Sequence, residues 1–201
     1  HPDIYVFWTG DGIVTNKITV ACAQAYKSLV NHRLIIWDNY PVNDRQPVLH
    51  LGPVSGREAG LAEVADGYMS NPLSPQNEIN RLPLLTCADY AFNPWKYDPG
   101  RSIGQSIMHL AETKSQREVL RELVELFPGE INLGRTETGY NPLLEKFNLL
   151  RTEPEGDKLT REFVNYVENV LWRLEQEFPG QYSSTKKTIA YNIELMKKKL
   201  G

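Results

Sequence analysis

The feature that most limits what this chain can become is an apolar run, a helical stretch and a second apolar run in direct succession. "IYVFWTG" (Ile4 to Gly10) is rich in β-branched and aromatic residues, and so is "RLIIWDN" (Arg33 to Asn39). Between them, "TNKITVACAQAYKSLVNHR" sets Ile18, Cys22, Ala25 and Leu29 at helical spacing, with Thr15 or Asn16 as the N-cap. Strand, helix, strand is a βαβ unit, and such a crossover joins parallel strands. "GREAGLAEVADGYMSNP" repeats the theme, with a short helix around Leu61 to Ala65 and a brief strand closing in Ser70, Asn71 and Pro72. "LPLLTCADYAFNP" follows, with Leu82, Leu85 and Cys87 spaced to face a core. The fold class is α/β.

Past Gly104 the texture changes from short strands with Pro, Gly and Asn to long amphipathic stripes. Ile107, Leu110 and Ala111 lead into Val119, Leu120, Leu123 and Val124, then Leu126, Phe127 and a Pro-Gly stop. A second stripe carries Leu159, Phe163, Val167, Val170, Leu171, Leu174 and Phe178, and a third Ile189, Ile193, Met196 and Leu200. This spacing predicts helices packed as a bundle. The expected organisation is an α/β region over 1–104 and a helical bundle over 105–201.

Composition narrows the functions. The 201 residues are 41% hydrophobic with a formal net charge of -3, and the charges are mixed rather than blocky. Nothing there suggests a nucleic-acid partner or a membrane surface, and no apolar run approaches the roughly 18 residues of a membrane span. Cys22 and Cys87 fit neither a zinc spacing nor a disulfide framework. His1, His32, His50 and His109 lack metal-ligand spacing, "GDG" at 10–12 is too short for a dinucleotide loop, and no P-loop or nucleophile elbow occurs. No metal or cofactor is expected. The chain opens "HPDIYVFWTG", without Met or signal-peptide pattern, so a processed chain or a fragment is expected, and the compartment is not legible.

The chemistry gathers where the strands end. "WTGDG", "WDNYPVND" and "SNP" each follow an apolar run with polar residues, and in parallel α/β folds the C-terminal strand ends carry the site. Alternation puts Ile35, Trp37 and Asn39 on one side of their strand and Ile36 and Asp38 on the other. An indole beside a carboxamide, with a carboxylate just beyond, suits a sugar: its C–H face packs on the ring while its hydroxyls need donors and acceptors. Asn, Asp and Pro serve loop turns equally well. Asp38 and Asp44 as a glycosidase acid/base pair is opposed by parity, which aims Asp38 away from Asn39.

"VFWTG" at 6–10, "IIWDNYPVND" at 35–44, "LHLGPVSGR" at 49–57, "SNP" at 70–72 and "TCADYAFNPWKYDP" at 86–99 together resemble glycoside hydrolase family 84, the O-GlcNAcase family. The resemblance covers about the first 100 residues. It implies a (β/α)₈ TIM barrel that removes β-linked GlcNAc with retention, the sugar's own acetamido oxygen forming an oxazoline. By the same resemblance Asn39 hydrogen-bonds near the reacting sugar, Asp44 holds the O4 and O6 hydroxyls, and Asn71 reaches the sugar from the next strand end. Trp37 and Thr9 resemble parts of the pocket around the acetamido methyl.

One departure stands out. The family's catalytic residues are two adjacent aspartates, and this sequence has no Asp-Asp dipeptide. The resemblance therefore implies the C-terminal portion of the barrel, about three βα units, followed by an all-α region, with the catalytic pair and the N-terminal barrel half expected upstream of His1. The parent would be an active β-N-acetylglucosaminidase acting on a β-linked GlcNAc-bearing glycan or glycoprotein, and the isolated chain inactive. A GlcNAc-binding module without chemistry, or a partner-binding helical half, are the rival readings.

Overall fold

The computed structural model describes residues 1, 3–43, 48–73, 78–133 and 141–200. Three strands, β1 (Tyr5–Trp8), β2 (Arg33–Pro41) and β3 (Gly67–Asn71), form a sheet in the order β1-β2-β3 with every pairing parallel. The first crossover is helix α1 (Val20–Val30). Its N-cap is Thr19, whose hydroxyl accepts from the Cys22 amide, rather than Thr15 or Asn16. The start is later than the periodicity suggests because Ile18 is held extended, its N–H donating to the Gly56 carbonyl at 2.9 Å and its own carbonyl accepting from the Glu58 amide. Asn31, at φ 50°, ends the helix in the left-handed region that Asn tolerates.

Among the described residues of the second crossover the one helix is the short α2 (Leu61–Val64), before β3. Helix α3 (Arg81–Phe92) returns after it and buries Leu82 and Cys87, while Leu85 is half-buried. Beyond a 3-10 turn at Pro94–Lys96 come α4 (Pro99–Leu110), α5 (Lys114–Leu126), α6 (Pro142–Arg151), α7 (Gly156–Glu177) and α8 (Ser183–Leu200). The stripe from Ile107 to Leu126 is two helices, parted where the Thr113–Gln116 capping box starts α5. Helix α6 was not anticipated. Its apolar residues Leu143 and Phe147 form only one buried pair at helical spacing.

Gly104 lies within α4, and the largest core runs across that point. It joins Leu49, Leu51, Leu73, Ile79 and Leu82 to Leu120, Leu123, Phe147, Val167, Leu174, Ile189 and Met196. At about 1.5–3 kcal/mol per buried aliphatic side chain, this cluster is the chief adhesive of the helical part. A smaller core of Trp8, Ile18, Ala23, Leu34, Ile36, Leu61 and Val64 lies beneath the sheet.

Among the described residues the sheet is covered on that side alone. Along β2, Leu34, Ile36, Asp38 and Tyr40 are buried whereas Arg33, Ile35, Trp37 and Asn39 are not, which is the alternation expected from the sequence. The open face carries Tyr5, Phe7, Trp37 and Met69, each at least 36% exposed. Phe7 meets Trp37 edge-on with ring centroids 5.5 Å apart. No described helix is long and apolar enough to cross a membrane.

Candidate functional site

The open face ends in a hydrogen-bonded polar cluster. Asn39, near the C-terminal end of β2, accepts at Oδ1 from the Trp37 indole N–H at 3.0 Å and from Asn71 Nδ2 at 2.9 Å. Asn71 is the last residue of β3; a register shift after Asp38 pairs its backbone with Pro41, while its side chain reaches Asn39. On its other end Asn39 donates from Nδ2 to the Ile13 carbonyl at 2.7 Å. These partners fix the orientation of the amide: an oxygen must face the two donors and a nitrogen the carbonyl. Each carboxamide nitrogen carries two N–H groups, so one N–H of Asn39, and one N–H and the Oδ1 of Asn71, have no hydrogen-bond partner among the described residues. They are the groups a ligand would meet.

The loop after β1 forms the adjacent wall. Thr9 Oγ1 donates to the Gly12 carbonyl at 2.8 Å, and Thr15 Oγ1 reaches back to the Thr9 carbonyl at 3.2 Å. Gly10 sits at φ 98° where a Cβ would meet Thr15 Oγ1 at 2.7 Å, so neither the backbone angle nor the space admits another residue without strain. This fixed loop presents the Ile13 carbonyl to Asn39. Among the sequence-derived candidates, then, Trp37, Asn39 and Asn71 are in direct contact and Thr9 braces the neighbouring loop. Asp44 lies outside the described residues.

Behind the strand end sits an ion pair that sequence reasoning missed. Asp38, 1% exposed, accepts from Arg57 Nε at 2.6 Å and Nη2 at 2.5 Å, and from the Tyr68 hydroxyl at 2.7 Å. Burial works against the Arg57 charge, but the Asp38 carboxylate outweighs it and keeps the guanidinium firmly protonated. Burial, followed by the Asp38 charge, pushes the Tyr68 phenol well above its ordinary range. With both oxygens engaged on the covered face, Asp38 is no partner for chemistry on the open one. Arg57 Nη1 also donates to the Asn16 and Ser55 carbonyls, so one guanidinium ties β2 to the end of the Thr9 loop and to the second crossover. The available signal was Asp38 itself: a carboxylate at a buried strand position needs a cation.

Among the described residues no group of His, Cys, Asp and Glu could hold a metal ion. The Cys87 thiol, buried beneath Tyr68, is pushed up to about 12 by burial first and the Asp38 charge second, so it is unreactive.

A family model described as NAGidase, β-N-acetylglucosaminidase, matches residues 1–125, and that span contains the whole cluster. The chain belongs to the β-N-acetylglucosaminidase family. Solved structures share its fold. An O-GlcNAc hydrolase variant from Thermobaculum terrenum aligns over 100% of this chain and 45% of its own length, at a TM-score of 0.75 and 24% identity. CpGH84B aligns over 98% of this chain and 35% of its own, at 0.63 and 20%. The β-N-acetylglucosaminidase-like chain thus spans less than half of either. Within it, the family match carries the strand-end cluster, and the shared fold extends through the helices.

Proposed function

We propose that this chain supplies the sugar-gripping part of a retaining β-N-acetylglucosaminidase. Residues 1–104 contribute about three βα units of a (β/α)₈ barrel and 105–201 the helical region after it. The reading rests on one observation: at adjacent parallel strand ends Asn39 accepts hydrogen bonds from both Trp37 and Asn71, inside the segment that the family model matches. In this reading the spare amide groups of Asn39 and Asn71 bind the polar edge of a terminal β-linked GlcNAc. Trp37 and Thr9 shape the pocket for its acetamido methyl, and Asp44 holds O4 and O6. The acetamido oxygen attacks C1, the glycosidic oxygen leaves with a proton, and an oxazoline forms that water then opens with net retention. The Asp-Asp pair that steers the acetamido group and moves that proton is contributed by the remainder of the barrel, and this chain alone is inactive.

Two physical arguments support a barrel partner. Three strands cannot close a barrel, and the open face bears Phe7, Trp37 and Met69, an apolar surface of the kind folded proteins cover. The lack of adjacent aspartates favours one alternative, a module that binds GlcNAc without cleaving it. N-fluoroacetyl substrates separate the two. If the acetamido oxygen is the nucleophile, each added fluorine lowers kcat/KM of the barrel-complete enzyme steeply. A flat dependence rejects the oxazoline route, and binding without turnover establishes the alternative.

A further inference from the structure

Between α7 and α8 the outer surface holds a groove of about 420 Å³ that the strand-end site does not use. Its floor is Leu171, Ala190 and Ile193, and its walls are Trp172 and Tyr191. Those two rings are 58% and 52% exposed, the largest side chains left open on the two helices. Three carboxylates rim it: Glu168, Glu175 and Glu194. Glu168 is paired with Lys197 at 2.6 Å, and the Lys197 charge also feels Glu194, whereas Glu175 has no ion-pair partner among the described residues.

From this geometry we infer that the α7–α8 groove docks a basic segment of a partner polypeptide, with an Arg or Lys side chain laid along the Trp172 face and its charge set between Glu175 and Glu194. The match is of shape and charge together. Arg and Lys carry an aliphatic stem that fits an apolar floor, and a cation that the indole face and the carboxylates both attract. Carbohydrate could stack on the same rings, but a lining with three carboxylates and, among the described residues, no cation favours a positively charged ligand over a neutral one. A second copy fits less well too, since two such grooves face to face would oppose like charges.

The test is a titration of the full chain with a fluorescent peptide of alternating Arg and Leu, against Glu-Leu and Ser-Leu controls. Phe7→Gln and Met69→Gln serve as a background that suppresses contacts through the open sheet face. The Arg-Leu peptide should bind in a salt-dependent manner and shift the indole N–H resonance of Trp172, one of 4 tryptophans. Trp172→Ala, and separately Glu175→Gln with Glu194→Gln, should each weaken binding by roughly tenfold. Binding indifferent to both variants would mean general attraction to an acidic surface and would overturn the proposal. So would absence of binding, equal binding of the Ser-Leu peptide, a Trp172 shift caused by β-linked GlcNAc oligomers instead, or self-association that Trp172→Ala abolishes.

Discussion

Arg57 grips Asp38 with two nitrogens, at 2.6 and 2.5 Å, directly behind the strand end that carries Asn39 on its opposite face. Both side chains are at most 2% exposed. Removing one partner of a buried pair strands the other charge, at a cost of about 3–5 kcal/mol. Arg57→Leu is therefore expected to lower the chain's unfolding free energy by that amount in a denaturant titration. Asp38→Asn strands the Arg57 charge instead and turns an amide donor toward another donor, so it should cost a comparable amount.

The link from Trp37 to Asn39 separates orientation from packing. Trp37→Phe keeps an aromatic plate on the open face but deletes the N–H that holds Asn39 Oδ1. A neutral hydrogen bond contributes about 1 kcal/mol. The barrel-complete enzyme carrying Trp37→Phe should lose roughly five- to tenfold in kcat/KM on an aryl β-N-acetylglucosaminide. Asn39→Ala, which strands both donors, should lose considerably more. Equal activity of wild type and Trp37→Phe would show that the indole acts by its ring alone.

Opposite signs are expected for the open sheet face in two settings. In the isolated chain, Phe7→Gln with Met69→Gln removes exposed apolar surface, so binding of a hydrophobic dye and self-association by light scattering should both fall. In the barrel-complete enzyme the same pair would face the barrel interior, and its melting temperature should drop by several degrees, about what a loss of 1–2 kcal/mol brings. A rise there would argue that this face is naturally exposed.

His50 gives the pH dependence. It is 5% exposed, in the segment where the Leu51 amide donates to the Phe127 carbonyl, and burial lowers its pKa from the ordinary 6.5 to about 4. The unfolded chain takes up a proton near pH 6.5 that the folded chain refuses, so stability is full above 6.5 and falls as pH drops toward 4. The loss attributable to this group is about 3 kcal/mol at most. Denaturant midpoints for wild type should fall more between pH 7 and pH 5 than those for His50→Gln. Parallel curves would locate the acid sensitivity elsewhere.

Much of this was legible because local rules and the fold agree. Period-two alternation in "RLIIWDN" assigned Trp37 and Asn39 to one face and Asp38 to the other, since one face of a strand must be buried whatever surrounds it. The βαβ pattern gave parallel strands for the same reason. Thr19 as N-cap was not legible, because Ile18 is extended only through bonds to residues 56 and 58, some 40 positions away. The bonds of Asn39 to Asn71 and Ile13 span 32 and 26 positions, so tertiary packing sets them and no local signal encodes them. Arg57 was invisible because an ion pair spanning 19 residues is set by tertiary packing.

Whether this chain is the sugar-gripping part of a larger hydrolase is decided by hydrolysis of an aryl β-N-acetylglucosaminide. It would be measured for the 201-residue chain, for a longer chain that includes the upstream barrel strands, and for that longer chain carrying Asp44→Ala. Activity should appear only in the longer chain and fall about 10- to 100-fold with the substitution, as loss of charged hydrogen bonds to the sugar requires. Turnover by the 201-residue chain alone, or silence from a well-folded longer chain, would mean that this chain is not the sugar-gripping part of such an enzyme.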